Sequence, residues 1–125
     1  MKLHAPTSVG DLADRITILD IKLKRLQPSA KMENVRYEHA CLHAVWASME
    51  KPVDLGPLGK LLGKLRTTNE RIWDLEEEAH LPTADVGTLR GIIEANDERA
   101  RLKRSINLLL NSEIIEEKSH KGGRP

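Results

Sequence analysis

The sequence has 125 residues, of which 39% are hydrophobic and 31% charged, and its formal net charge is +1. That length suits one domain, and 20 Lys and Arg against 19 Asp and Glu give no global field for recruiting nucleic acid or an anionic membrane. About half of the residues are Ala, Glu, Lys, Leu or Arg, and there is no Phe, one Tyr and two Trp, so composition argues against an all-β fold and for an all-α one.

Cys41 is the sole cysteine, which rules out an intrachain disulfide and fits a reducing compartment. Residues 1–10 lack a basic stretch followed by an apolar one, and no run reaches the roughly 18 apolar residues of a membrane span. A cytoplasmic chain with no membrane span is expected.

Five prolines, Pro6, Pro28, Pro52, Pro57 and Pro82, fall between segments of helical periodicity, where a missing N–H and a fixed φ do no damage. The first segment opens at Ser8, with Asp11 three residues on as an approximate capping box, and sets Leu12, Ile16, Leu19, Leu23 and Leu26 in one stripe. Ile18 and Ile21 point off that stripe and form a second apolar patch, through which a homodimer is expected. After the short link Gln27-Pro28-Ser29, a second helix over about 30–49 runs antiparallel to the first, with Met32, Val35, Leu42, Val45, Trp46 and Met49 inward.

Leu58, Leu61, Leu65, Ile72, Leu75 and Ala79 define a third helix, with Thr68 filling one inward position. Thr83 caps a fourth and longest helix that reaches about Asn111. Gly59 and Gly63 in the third helix, and Gly87 and Gly91 in the fourth, either permit close backbone approach or mark weak first turns. The expected architecture is an up-down bundle of about four helices over residues 1–118, dimeric, with residues 119–125 as a flexible tail.

The fourth helix carries the most informative pattern. At about 100° per residue, Asn96, Arg99, Lys103 and Asn107 share one stripe, and it lies inside the apolar arc between Ile93 and Ala100 on one side and Leu102, Ile106 and Leu109 on the other. Buried cations are rare unless paired, so an acidic group must meet them. Glu38, taken to lie in the inward arc of the second helix beside His39, and Glu76 of the third are the candidate partners. Three readings follow: an internal polar network that fixes register, an anion pocket in which Arg99 and Lys103 clamp a carboxylate or phosphate while the Asn side chains orient it, or a wide face that docks a partner protein.

Other patterns are less specific. His39 and His43 lie four apart without the further ligands of a metal motif, and Asp74, Glu76, Glu77 and Glu78 read as a solvated acidic face, so neither metal nor cofactor is expected. There is no Walker-type loop, no Gly-rich dinucleotide fingerprint and no local Ser or Cys nucleophile motif.

Four passages together resemble a family of short bacterial proteins of unknown function: Pro6 to Asp11 running into Asp14 to Lys22; Asn34 to Glu38; Asn69-Glu70 with Ile72 to Glu76; and Asn96 to Asn107 with Glu116 to His120. The resemblance spans nearly the whole chain. Members of that family occur alone, or fused to or encoded beside glycosyltransferases of lipopolysaccharide and other surface-polysaccharide synthesis, so the resemblance implies that setting without a reaction. The link between the third and fourth motifs is shorter here than is usual, and His120 stands where the family carries Tyr. Arg15, Asp20, Lys22, Asn34, Arg36 and Glu38 match the family's polar positions, as do Asn96, Arg99, Lys103 and Asn107.

The leading expectation is a non-catalytic helical accessory module, homodimeric through Ile18 and Ile21, serving such glycosyltransferases by protein contact or by holding an anion at Asn96, Arg99, Lys103, Asn107, Arg15 and Glu38. The alternative is a small all-α enzyme on a di-anionic metabolite or a nucleotide, similar to helical chorismate mutases, with Arg99, Lys103 and Arg15 gripping substrate and Glu38 as acid or base.

Overall fold

A computed structural model describes residues 1–118. Among them 71% are helical and none lies in a strand. The chain is an all-α four-helix bundle of α1 (Val9–Arg25), α2 (Ala30–Ser48), α3 (Gly56–Ala79) and α4 (Val86–Leu109). Residues 119–125, expected as a tail and including His120, lie outside the described residues.

Local chemistry sets the helix ends. Ser8 caps α1, its Oγ accepting the Asp11 N–H at 3.0 Å, and Lys22, Lys24 and Arg25 place positive charge in the last turn, where the helix dipole favours it. Pro57 occupies the first turn of α3. The cap of α4 is Asp85 and not Thr83: its carboxylate accepts the Thr88 N–H at 3.0 Å, and the Thr88 hydroxyl accepts the Asp85 N–H in return. Asp tolerates the extended cap backbone and brings a negative charge to the helix start, so it displaces the earlier threonine. The Thr88 hydroxyl donates to Glu78 at 3.0 Å, which ties the start of α4 to the end of α3.

α1 is the central element and packs against each of the other three helices, while α3 and α4 form an extensive hairpin. Ala13, Leu58, Leu65, Leu102 and Ile106 make the core, with Val9, Trp46, Leu61, Leu62 and Leu110 around it. On α3 the buried inward position is Asn69 rather than Thr68, which is only half-buried. On α2 only Met32 is fully buried, and Val45, expected inward, is exposed, as is Ile93 of α4. α2 packs along α1, so a narrow strip of it suffices for the core.

Ile21 corrects the expected dimer patch. It is buried within the chain at 3% exposure, and Ile18 is half-buried, because α1 is enclosed on several sides and uses more than one stripe. The glycines divide as well. A Cβ on Gly59 or Gly63 would meet nothing within 4 Å, so these two make no close approach, and one on Gly87 would meet only its own cap, Asp85. Gly91 lets Leu75 approach, and the tightest contact is at Gly10, where a Cβ would stand 2.2 Å from the Lys103 carbonyl oxygen.

Candidate functional site

The contact at Gly10 brings the backbones of α1 and α4 together and sets an antiparallel ladder of polar pairs. The Gly10 N–H donates to Asn107 Oδ1 at 2.5 Å, Lys103 Nζ reaches Asp11 Oδ1 at 3.1 Å, and Arg99 Nε reaches Asp14 Oδ1 at 2.9 Å. Residues rise along α1 as they descend along α4, where successive members lie about a turn apart. Arg99 Nη2 engages the second oxygen of Asp14, and Asn69 Nδ2 of α3 donates to Asp14 Oδ1 at 2.9 Å. Asp14 is 0% exposed and Asn107 2%.

The hydrogen bond to Asp14 holds the Arg99 guanidinium above the usual arginine range; burial opposes it, and the charges of Asp14, Asp11 and Glu76 add to it. A cation bound this way stays a cation, and it keeps the buried Asp14 carboxylate compensated. Among the described residues no buried side-chain nitrogen or oxygen lacks a hydrogen-bond partner.

The chain then returns over this face. Asn111 takes a left-handed conformation at φ 52°, and the Ser112 N–H donates to the Asn107 carbonyl at 2.8 Å, the six-to-one bond of a Schellman stop with Asn in the usual glycine position. Ser112 Oγ accepts the Val9 N–H at 3.1 Å and donates to the Ile114 carbonyl at 2.6 Å. Residues 113–118 form a strap along α4: Glu116 lies 3.8 Å from Lys103 Nζ and accepts the Ser8 hydroxyl, Glu117 pairs with Arg104 at 2.6 Å, and Lys118 pairs with Asp97. A cavity of about 310 Å³ lies between the strap and Asn96, Arg99, Lys103, Arg104 and Asn107.

All four stripe residues of α4 thus line one cavity, although Asn96 donates to the Ile92 carbonyl of its own helix at 3.1 Å and does not reach α1. Arg15 and Glu38 are not brought there. Their 3.2 Å ion pair is about half-exposed, in a separate groove of about 700 Å³ between the N-terminal segment, α1 and α2. Glu38 faces outward because α2 turns only a narrow strip to α1, so the four-residue grip with Glu38 as acid or base is not assembled within one chain. Glu76 is likewise exposed and only adds its charge at Arg99.

The residues that meet the partly buried cations are Asp11 and Asp14, with Asn69 bonded to Asp14 and Glu116 beside Lys103. In the sequence Asp11 and Asp14 stand as an i, i+3 acidic pair on α1 and Asn69 one step from Thr68, a spacing that puts the carboxylates on one face without showing what that face meets. A second polar junction joins α1, α2 and α3: Asp20 bonds His39 Nε2 at 2.7 Å and Arg66 at 2.9 Å, while the His39 and His43 rings stack with centroids 5.8 Å apart. Among the described residues no group of three His, Cys, Asp or Glu is placed to hold a metal ion, and no helix is long and apolar enough to cross a membrane.

No family model, no curated protein and no solved structure matches this chain.

Proposed function

We propose that the chain is a non-catalytic helical accessory module that holds a carboxylate- or phosphate-bearing group on the polar face of α4, in the surface-polysaccharide glycosyltransferase setting that the sequence resemblance implies. The observation that carries this reading is the charge balance of the groove. Asp14 and Asp11 of α1 pair with Arg99 and Lys103 and leave Arg104 over, and the strap brings Glu117 to Arg104 and Glu116 as a second carboxylate beside Lys103. A site whose last anions come from an irregular segment suits an incoming anion better than one closed by helix residues alone, because such a segment has little to hold it.

The roles within the stripe differ in this reading. Arg99 is committed to Asp14 and orders the site, whereas Lys103 and Arg104 face the ligand, with Asn107 holding the α1 backbone at Gly10.

The test is a thermal-shift screen of the whole chain against inorganic phosphate, phosphosugars, nucleotide sugars and dicarboxylates. A ligand at 100 times its Kd stabilises by about 2.7 kcal/mol, which raises the midpoint by several degrees in a chain of this size. The shift is expected to vanish in Lys103→Gln/Arg104→Gln. A screen in which no anion raises the midpoint, or in which the double variant responds as the native chain does, defeats the proposal.

A further inference from the structure

We infer that the groove on α4 is a docking site for an extended acidic segment of another protein, and that the strap at residues 113–118 is its intramolecular occupant. This rests on the reading of α4 as an anion-binding face, and it names both the ligand class and the regulation.

The docked strap displays what the groove accepts. Two adjacent carboxylates, Glu116 and Glu117, meet two adjacent cations, Lys103 and Arg104, and the next residue, Lys118, meets Asp97 almost two helical turns back along α4. From Asp97 to Arg104 the helix rises about 10 Å, a distance covered by about three residues of extended chain or by fewer with a long lysine side chain. The stations therefore alternate in sign along the groove, two positive and then one negative. A lone phosphate or dicarboxylate fills the positive end only, whereas an acidic pair followed by a basic residue on an extended backbone fills both. Charge complementarity of this ordered kind selects a peptide and its direction.

One of the strap's ion pairs is weak. Glu117 is 71% exposed in its pair with Arg104, which is 47% exposed, and ion pairs of that kind add little. Its two isoleucines, Ile114 and Ile115, remain 38% and 36% exposed, so neither is enclosed in the core. The chain leaves α4 at Asn111, a left-handed residue beyond the last helical turn, so the strap is not part of the helix. Such an occupant lowers the apparent affinity of a competing segment by the fraction of time that it is docked.

The probe is a labelled peptide with the sequence of residues 112–118, Ser-Glu-Ile-Ile-Glu-Glu-Lys, titrated into the full-length chain by fluorescence anisotropy. The native chain is compared with Glu116→Gln/Glu117→Gln, in which the side-chain amide oxygen introduced at position 116 still accepts the Ser8 hydroxyl and the exposed substitutions leave the core intact. The variant should bind the peptide about tenfold or more tightly than the native chain. Binding should be lost when the peptide's glutamates at positions 116 and 117 are Gln, and when Arg104→Glu is added to the protein. Should the double variant fail to fold by circular dichroism, Glu117→Gln alone gives the same comparison. Equal affinity for native and variant chains, or no binding to either, overturns the inference. Inorganic phosphate run by thermal shift on the same variant separates the two levels: stabilisation by phosphate without peptide binding removes the docking inference and leaves the anion reading, and silence from both removes both.

Discussion

Arg99 on α4 grips both carboxylate oxygens of Asp14 on α1, and Asp14 has no exposure to solvent. The pair joins two helices that are not neighbours in the chain, and Asn69 from α3 completes it, so one carboxylate fixes the mutual register of three helices. Removing Arg99 leaves that carboxylate buried with one amide for company. Arg99→Leu should therefore cost about 3–5 kcal/mol in urea unfolding, the range for breaking a buried pair. Asp14→Leu/Arg99→Leu should recover much of that loss, since the uncompensated charge is gone. A double variant no more stable than Arg99→Leu would show that the pair does not carry the register.

Alkaline pH separates arginine from lysine at this position. The Asp14 hydrogen bond raises Arg99 above its ordinary value, so the folded state holds that proton more tightly than the unfolded chain does. The resulting stabilisation is complete below arginine's ordinary value and fades only as pH climbs through the raised folded one. Arg99→Lys moves that window down, because a lysine titrates near pH 10.4 in the unfolded chain. The stability gap between the native chain and Arg99→Lys should thus widen as urea titrations pass from pH 8 to above about pH 10.5. Other lysines cancel in the difference, and a gap that stays constant would deny the charge-based account.

Glycine substitutions should change sign with position. Gly10→Ala forces a methyl group to within 2.2 Å of the Lys103 carbonyl oxygen, which lies on backbone that cannot turn aside. The helices must separate, and the Asn107 and Lys103 bonds lengthen together, so a loss of about 1–3 kcal/mol is expected from overpacking. Gly59→Ala and Gly63→Ala meet nothing within 4 Å and lie inside α3, where each should add about 0.5–1 kcal/mol. Thermal unfolding of the three variants checks the signs, and destabilisation by all three would refute the division.

At the start of α4, Asp85→Ala should cost about 1 kcal/mol through loss of the cap, with Thr83→Ala near neutral, within about 0.5 kcal/mol. Equal losses at the two positions would move the cap back to Thr83.

Much of the bundle is legible in the sequence because prolines separate its segments and each segment keeps an apolar period. The polar stripe of α4 is legible for a related reason: Asn96, Arg99, Lys103 and Asn107 interrupt an apolar arc at helical spacing, which an exposed face would not do. Its partners are not, since periodicity assigns a face to each helix but not which faces meet. Glu38 and Asp14 are equally good carboxylates on paper, and the choice falls to Asp14 only because Gly10 lets α1 lie against α4. The strap is hidden for another reason. Glu113 to Lys118 has neither helical nor strand period, and its place depends on the backbone reversal at Asn111.

Ile18 and Ile21 give the last contrast. Both stand off the main stripe of α1, yet Ile21 is enclosed by the chain itself and Ile18 only in part. Ile21→Ala should cost about 2–5 kcal/mol by opening a cavity, and Ile21→Lys should prevent folding, since it carries an ammonium into a position only 3% exposed. Ile18→Glu should leave the fold intact by circular dichroism, because a half-buried position lets the carboxylate reach water. Light scattering on Ile18→Glu then isolates association from folding: a fall in mass relative to the native chain assigns Ile18 to a contact between copies, and an unchanged mass removes Ile18 from any such contact. Ile21 cannot serve that purpose, because any loss of mass on its substitution would come from unfolding.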